Sequence, residues 1–78
     1  MKANTVPDFV ARALQEEMDL HTKTEALKSF IESDNFDHLA KQHRNLQVAQ
    51  YEYMKGYLYT LRCRIRLLAI EFGFEFKK

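Results

Sequence analysis

Residues 40–72 read AKQHRNLQVAQYEYMKGYLYTLRCRIRLLAIEF, and the fold follows from how this stretch is read. Placed at 100° per residue it forms one long α-helix with no proline to interrupt it. Met54, Leu58, Leu61, Ile65, Leu68 and Phe72 recur at spacings of 4, 3, 4, 3 and 4, one apolar seam of heptad period. Ala49, Gly56 and Cys63 recur at intervals of seven on the opposite side. A helix that is apolar on two opposite faces must be covered on both. The rest of a short chain can cover one face, and the other needs a second chain. Gly56 costs about 1 kcal/mol against alanine inside a helix. Its place in the small-residue line therefore predicts a close backbone approach.

The chain is 78 residues long, which allows a single small domain with little core of its own. Chains of this size usually need disulfides, a metal or oligomerisation. One cysteine excludes an intrachain disulfide, and Cys63, His21, His38 and His43 show no ligand-pair spacing for zinc. Oligomerisation remains, and no metal or cofactor is expected. With one proline and two glycines the chain reads as mostly helical. No apolar leader stands at the N-terminus, and no run approaches the roughly 18 apolar residues of a membrane span. The lone thiol fits a reducing cytoplasm. Net charge is +1, but residues 1–39 carry four basic against eight acidic side chains and residues 40–78 eight against three. That split fits antiparallel helices attracting each other, or a local basic surface for an anion.

Upstream, Thr5-Val6-Pro7-Asp8 reads as a helix start, with Thr5 as the cap, Pro7 in the first turn and Asp8 meeting the free amides. The helix runs to about Ser33, with Phe9, Ala13, Leu20, Leu27 and Ile31 as its apolar side. Val10, Leu14 and Met18 form a second greasy side in its first half. Thr22-Lys23-Thr24-Glu25 is a further capping-box pattern, so the helix is either continuous with exposed threonines or broken near Thr22. Ser33 to Asp37 is the turn, with Phe36 and Leu39 pinning it to the core, and Gly73 closes the second long helix. The fold class is all-α: a helical hairpin of two long antiparallel helices in a symmetric homo-oligomer. The whole of 1–78 is one oligomerising domain, with 1–5 and 74–78 as loose ends.

No phosphate loop, nucleophile elbow or metalloprotease motif is present, so no enzyme is expected. Glu16 and Glu17 are neighbours in sequence and read as a solvated acidic face. Two flanks of the second long helix mix aromatics with cations. Tyr53, Tyr57 and Arg64 fall on one, and Lys55, Tyr59, Arg62 and Arg66 on the other. Such flanks supply stacking platforms and phosphate donors, but tyrosine and arginine are also common at oligomer interfaces, the plainer reading of the two. On the first helix Phe9, Arg12 and Lys23 line one edge of the apolar stripe. Phe9 could stack on a base and Lys23 hold a phosphate, but about 21 Å of helix separates them. One small ligand reaches both only if the helix breaks or if two protomers contribute.

Phe9-x-x-Arg12, Leu20-x-x-Lys23, Leu27-x-x-Phe30-Ile31, Phe36, Met54-x-x-Tyr57 and Arg64-Ile65 together resemble the small tailed-phage proteins that sequester cyclic oligonucleotides, the anti-CBASS sponges. The resemblance spans roughly residues 7–66. It implies a homohexamer that binds cyclic dinucleotides such as cyclic GMP–AMP between protomers. It further implies separate pockets for cyclic trinucleotides of the cyclic tri-AMP class, without cleavage, in the cytoplasm of the infected bacterium. By position, Phe9, Arg12 and Lys23 fall to the dinucleotide, and Thr24 and Arg64 to the trinucleotide, with Thr22 an alternative register for the threonine. Phe9 stands where the family often has tyrosine, Gly56 where alanine is expected, and the Phe-rich tail has no counterpart. The rival function is a small phage adaptor that binds protein or nucleic acid. Arg62, Arg64 and Arg66 share no single face, whereas a duplex-binding protein shows a continuous basic stripe, so no DNA or RNA partner is expected.

Overall fold

The computed structural model describes residues 7–75, and within them the chain forms helices α1 (Asp8–Ile31), α2 (Asp34–Asp37) and α3 (Lys41–Phe72). The boundaries follow from local chemistry. Pro7 stands at the N-cap of α1 rather than within its first turn, and its carbonyl accepts from the amides of Val10 and Ala11 at 3.0 and 3.1 Å. A proline has no amide to leave unpaired there, and Asp8 in the first turn complements the helix dipole. Thr5, the expected cap, lies outside the described residues.

The break considered near Thr22 does not occur: α1 is continuous over 24 residues. The Thr24 hydroxyl donates to the Leu20 carbonyl at 2.7 Å, so this threonine bonds back along its own helix instead of opening a new one. At the end of α1, Ser33 Oγ donates to the Phe30 carbonyl at 2.6 Å. The short α2 then returns Phe36 to Phe30, ring edge to ring face at 6.1 Å. Ala40 opens α3, and Gly73 closes it in the left-handed region at φ 72°, its amide on the Ala69 carbonyl at 2.8 Å. Only glycine adopts that conformation without strain from a side chain.

Contacts between α1 and α3 run in opposite chain order. Phe9 at the start of α1 meets Phe72 at the end of α3, and Glu17, further along α1, meets Arg62, further back on α3. The outcome is a rod of 54 × 18 × 18 Å. Its core is small: Val10, Ala13, Leu58, Leu61 and Ile65 are buried. Leu14, Leu20, Leu68 and Phe74 pack against the part of it formed by Ala13, Leu61 and Ile65. Phe74 thus lies on the core although the sequence places it in a loose tail.

The seam expected on α3 is present at Leu58, Leu61 and Ile65, but Phe72 at its end is exposed. On α1 the buried line is rotated from the expected one toward Val10. It passes through Val10, Ala13, Glu17, Leu20 and Thr24 at spacings of 3, 4, 3 and 4. Phe9, assigned to the apolar side, is 50 % exposed, and Val10, assigned to a second side, is fully buried. Gly56 faces open space, where an added Cβ would meet nothing within 4 Å. No close approach therefore occurs there within one protomer.

Candidate functional site

The side chains that could act on a ligand sit along both flanks of the helix pair, and their placement begins with two adjacent glutamates. Glu16 is exposed and accepts from the Tyr57 hydroxyl. Glu17 is 1 % exposed, which corrects the reading of the pair as a solvated face. It occupies a core position of the heptad line, and α3 supplies the countercharge: Arg62 Nε donates to Glu17 Oε2 at 2.9 Å. Burying a lone carboxylate there would cost several kcal/mol, so the arginine is what permits it. Arg62 Nη2 also reaches His21 Nδ1 at 3.0 Å. A guanidinium can only donate, so Nδ1 accepts.

Arg12 and Lys23 line one open hollow of about 490 Å³ together with Gln15, Glu16, Asp19, Leu20 and Tyr57. The helix repeat explains their sharing a face: eleven residues advance about 1100°, three turns and roughly 20°. The acids between them are engaged, Glu16 by Tyr57 and Asp19 by the Gln15 amide at 3.0 Å. The hollow therefore has a cation at each end and carboxylates in its middle.

Phe9 is not in that hollow. It lies with Arg64, Ala13, Leu67 and Leu68 around a second one of about 350 Å³, and its ring meets Phe72 edge to face at 5.5 Å. Within one protomer Phe9 thus keeps company with Arg64, and Arg12 with Lys23. Thr24, 3 % exposed, belongs to a third hollow of about 400 Å³ on the other flank, apart from Arg64. The flank Lys55, Tyr59, Arg62 and Arg66 lines this third hollow, with His21, Glu25, Tyr51 and Cys63. Lys55 Nζ stands 4.6 Å from the centre of the Tyr51 ring and 3.3 Å from Glu52. A fourth, apolar groove of about 500 Å³ runs along α3 past Leu46, Ala49, Tyr53, Met54 and Tyr57.

The Glu17–Arg62–His21 cluster escaped the sequence reading. The signal that marks it is the heptad line itself, in which a glutamate occupies a core position between Ala13 and Leu20. Among the described residues no group of three or more His, Cys, Asp or Glu side chains is placed to hold a metal ion. No helix among them is long and apolar enough to cross a membrane.

Three helices, a thin core and open hollows edged by cations and aromatic rings make up a small all-helical protein. Residues 7–67 match the family model described as Sequestin, and the chain belongs to the Sequestin family. The resemblance to sequestering anti-CBASS sponges is borne out at the level of family, whose name denotes sequestration, a function of binding rather than turnover. Comparison with curated proteins and with solved structures gives no match.

Proposed function

We propose that this protein sequesters cyclic di- and trinucleotide messengers intact, in pockets completed between copies of the helical hairpin, and so silences CBASS-type immunity in the infected bacterial cytoplasm. The observation that carries the reading is the division of the family's ligand residues within one protomer. Arg12 and Lys23 share a hollow on a continuous α1, while Phe9 lies at the helix end beside Arg64. About 21 Å of unbroken helix between Phe9 and Lys23 exceeds the reach of one cyclic dinucleotide. A second copy supplies the missing partner, and the apolar groove past Leu46 and Tyr53, with open space at Gly56, gives such a copy somewhere to pack. A hexamer is the assembly the family resemblance implies.

A sponge needs affinity, copies and slow release. Stacking of a base on Phe9 contributes about 1–3 kcal/mol, and each charge-assisted phosphate bond about 1.5–3 kcal/mol. Titration calorimetry with cyclic GMP–AMP and cyclic tri-AMP, followed by chromatography of the ligand released on denaturation, tests the function. Intact ligand recovered from a tight complex is the expected result. Phe9→Ala lowers cyclic GMP–AMP affinity by roughly tenfold to a hundredfold on those magnitudes, and Arg64→Ala spares it while weakening cyclic tri-AMP. Linear products would mark an enzyme, and no binding of either ligand would overturn the reading. Binding to random DNA or RNA with steep salt dependence would favour the adaptor instead.

A further inference from the structure

We propose that Tyr57 and Gln15 are positioning residues: they hold the carboxylates of Glu16 and Asp19 off Arg12 and Lys23, and so leave both cations open to an anionic ligand. The role rests on the sequestration reading and falls to two neutral side chains that need touch no phosphate themselves.

The sequence of α1 favours a different arrangement. Arg12 and Glu16 are four residues apart, and so are Asp19 and Lys23. Side chains at that spacing are neighbours on a helix surface and pair when their charges are opposite. Asp19 before Lys23 is the better of the two orientations, because it also agrees with the helix dipole. Two such pairs would tie each cation to its own helix. Carboxylate and phosphate use the same donors, so an incoming anion would first have to displace an acid from each.

Neither pair forms. The Tyr57 hydroxyl reaches across from α3 and donates to Glu16 Oε2. Gln15 Nε2 donates to Asp19 Oδ1 at 3.0 Å. The ion pairs Glu17–Arg62 and Glu52–Lys55 lie outside this hollow. Among the described residues neither Arg12 nor Lys23 has a hydrogen bond or an ion pair, although both are exposed and line one hollow with the two acids.

The two restraints differ in kind. Gln15 acts within α1, one turn before its acid. Tyr57 belongs to α3, so its hold on Glu16 exists only where the hairpin is closed. Both donors are neutral. Each fixes the direction of a carboxylate without adding a charge, so neither competes with the ligand for Arg12 or Lys23.

Titration calorimetry of the full chain with cyclic GMP–AMP tests this through a mutant cycle. Tyr57→Phe keeps the ring and removes the donor, and Gln15→Met keeps the length and removes the amide. Each should weaken binding by about threefold, as the released acid swings onto its cation. Together they should weaken it by about tenfold. The decisive readout is the background. With Glu16→Gln and Asp19→Asn in place no acid is left to release, and the same two substitutions should change affinity by less than about 1.5-fold. An effect on packing would not vanish in that way. Losses of equal size in both backgrounds would show that Tyr57 and Gln15 shape the hollow or touch the ligand directly, and would overturn the role. Unaltered binding by Tyr57→Phe and Gln15→Met in the wild-type background would overturn it as well and leave sequestration standing. A wild-type chain that does not bind cyclic GMP–AMP would remove the dinucleotide reading and this proposal together.

Discussion

The two halves of α3 belong to one unbroken helix and are packed in different ways. The downstream half presents Leu58, Leu61 and Ile65 to α1 and buries all three. The upstream half has no buried residue: Leu46 is 68 % and Tyr53 79 % exposed, and Met54 is only half-buried. Opposite it, near the turn, Leu27, Phe30 and Ile31 of α1 are half-buried. The pair is therefore tightest toward its chain ends and loosest beside the connection that joins the helices. Proximity in sequence does not create burial. Side-chain volume facing the partner does, and the upstream half of α3 places its apolar residues where α1 cannot reach them.

That contrast can be broken by substitution, and the largest effect is expected in the packed half. Leu61→Ala should destabilise the protein by about 2–5 kcal/mol, read as a lowered urea midpoint. Leu46→Ala, which leaves no internal cavity, should change the protomer by about 0.5 kcal/mol at most. Comparable losses at the two positions would mean that both halves are packed alike in solution.

The neighbouring glutamates offer the next test. Glu17→Ala strands Arg62 against the core and should cost about 3 kcal/mol, while Glu16→Ala should cost under about 1 kcal/mol. Thermal unfolding separates them, because 1 kcal/mol moves Tm by about 4–8 °C in a domain of this size. Equal shifts would return Glu17 to the solvated face that the sequence suggests.

The smallest effect on the protomer falls at Gly56. Gly56→Ala should stabilise α3 by about 0.5–1 kcal/mol through helix propensity alone, since nothing lies near the added methyl. Gly56→Leu should leave the protomer folded yet lower the mass found by sedimentation equilibrium, because a long side chain blocks the close crossing proposed between copies. A variant that assembles normally would show that the line Ala49, Gly56 and Cys63 is not an interface.

Much of the fold was legible because it rests on strong local signals. Both long helices, the turn at Ser33–Asp37 and the glycine stop at Gly73 each have a conformational cause in the residue itself. The rotation of α1 was not legible. The angular rule groups Phe9 with Ala13, Leu20, Leu27 and Ile31 and sets Val10 on a second side, whereas packing selects the line of Val10, Glu17 and Thr24 that fits against Leu58, Leu61 and Ile65. A buried carboxylate can be read only together with its partner, and Arg62 is 45 residues away in the chain. For the candidate site, helical spacing put Arg12 and Lys23 on one edge of α1, and the two line one hollow. It could not say that Phe9 would turn toward Phe72 and Arg64, since that depends on where α3 ends beside the start of α1.

That ending has a consequence of its own. Gly73 turns the chain out of the helical path, and Phe74 is thereby folded back onto Ala13, Leu61 and Ile65. A residue with a β-carbon at position 73 disfavours the left-handed turn and favours continuation of α3. Phe74 would then leave the core and project along the rod axis as a protruding tip, above a vacated apolar socket at the same end. A tip and a socket at the same end make a self-complementary surface, so two such molecules exchange Phe74 across a two-fold axis and the junction closes as an end-to-end pair. On this view the glycine keeps that end of the rod satisfied by its own chain, one codon deep. Gly73→Ala should double the mass of the wild-type species in sedimentation equilibrium.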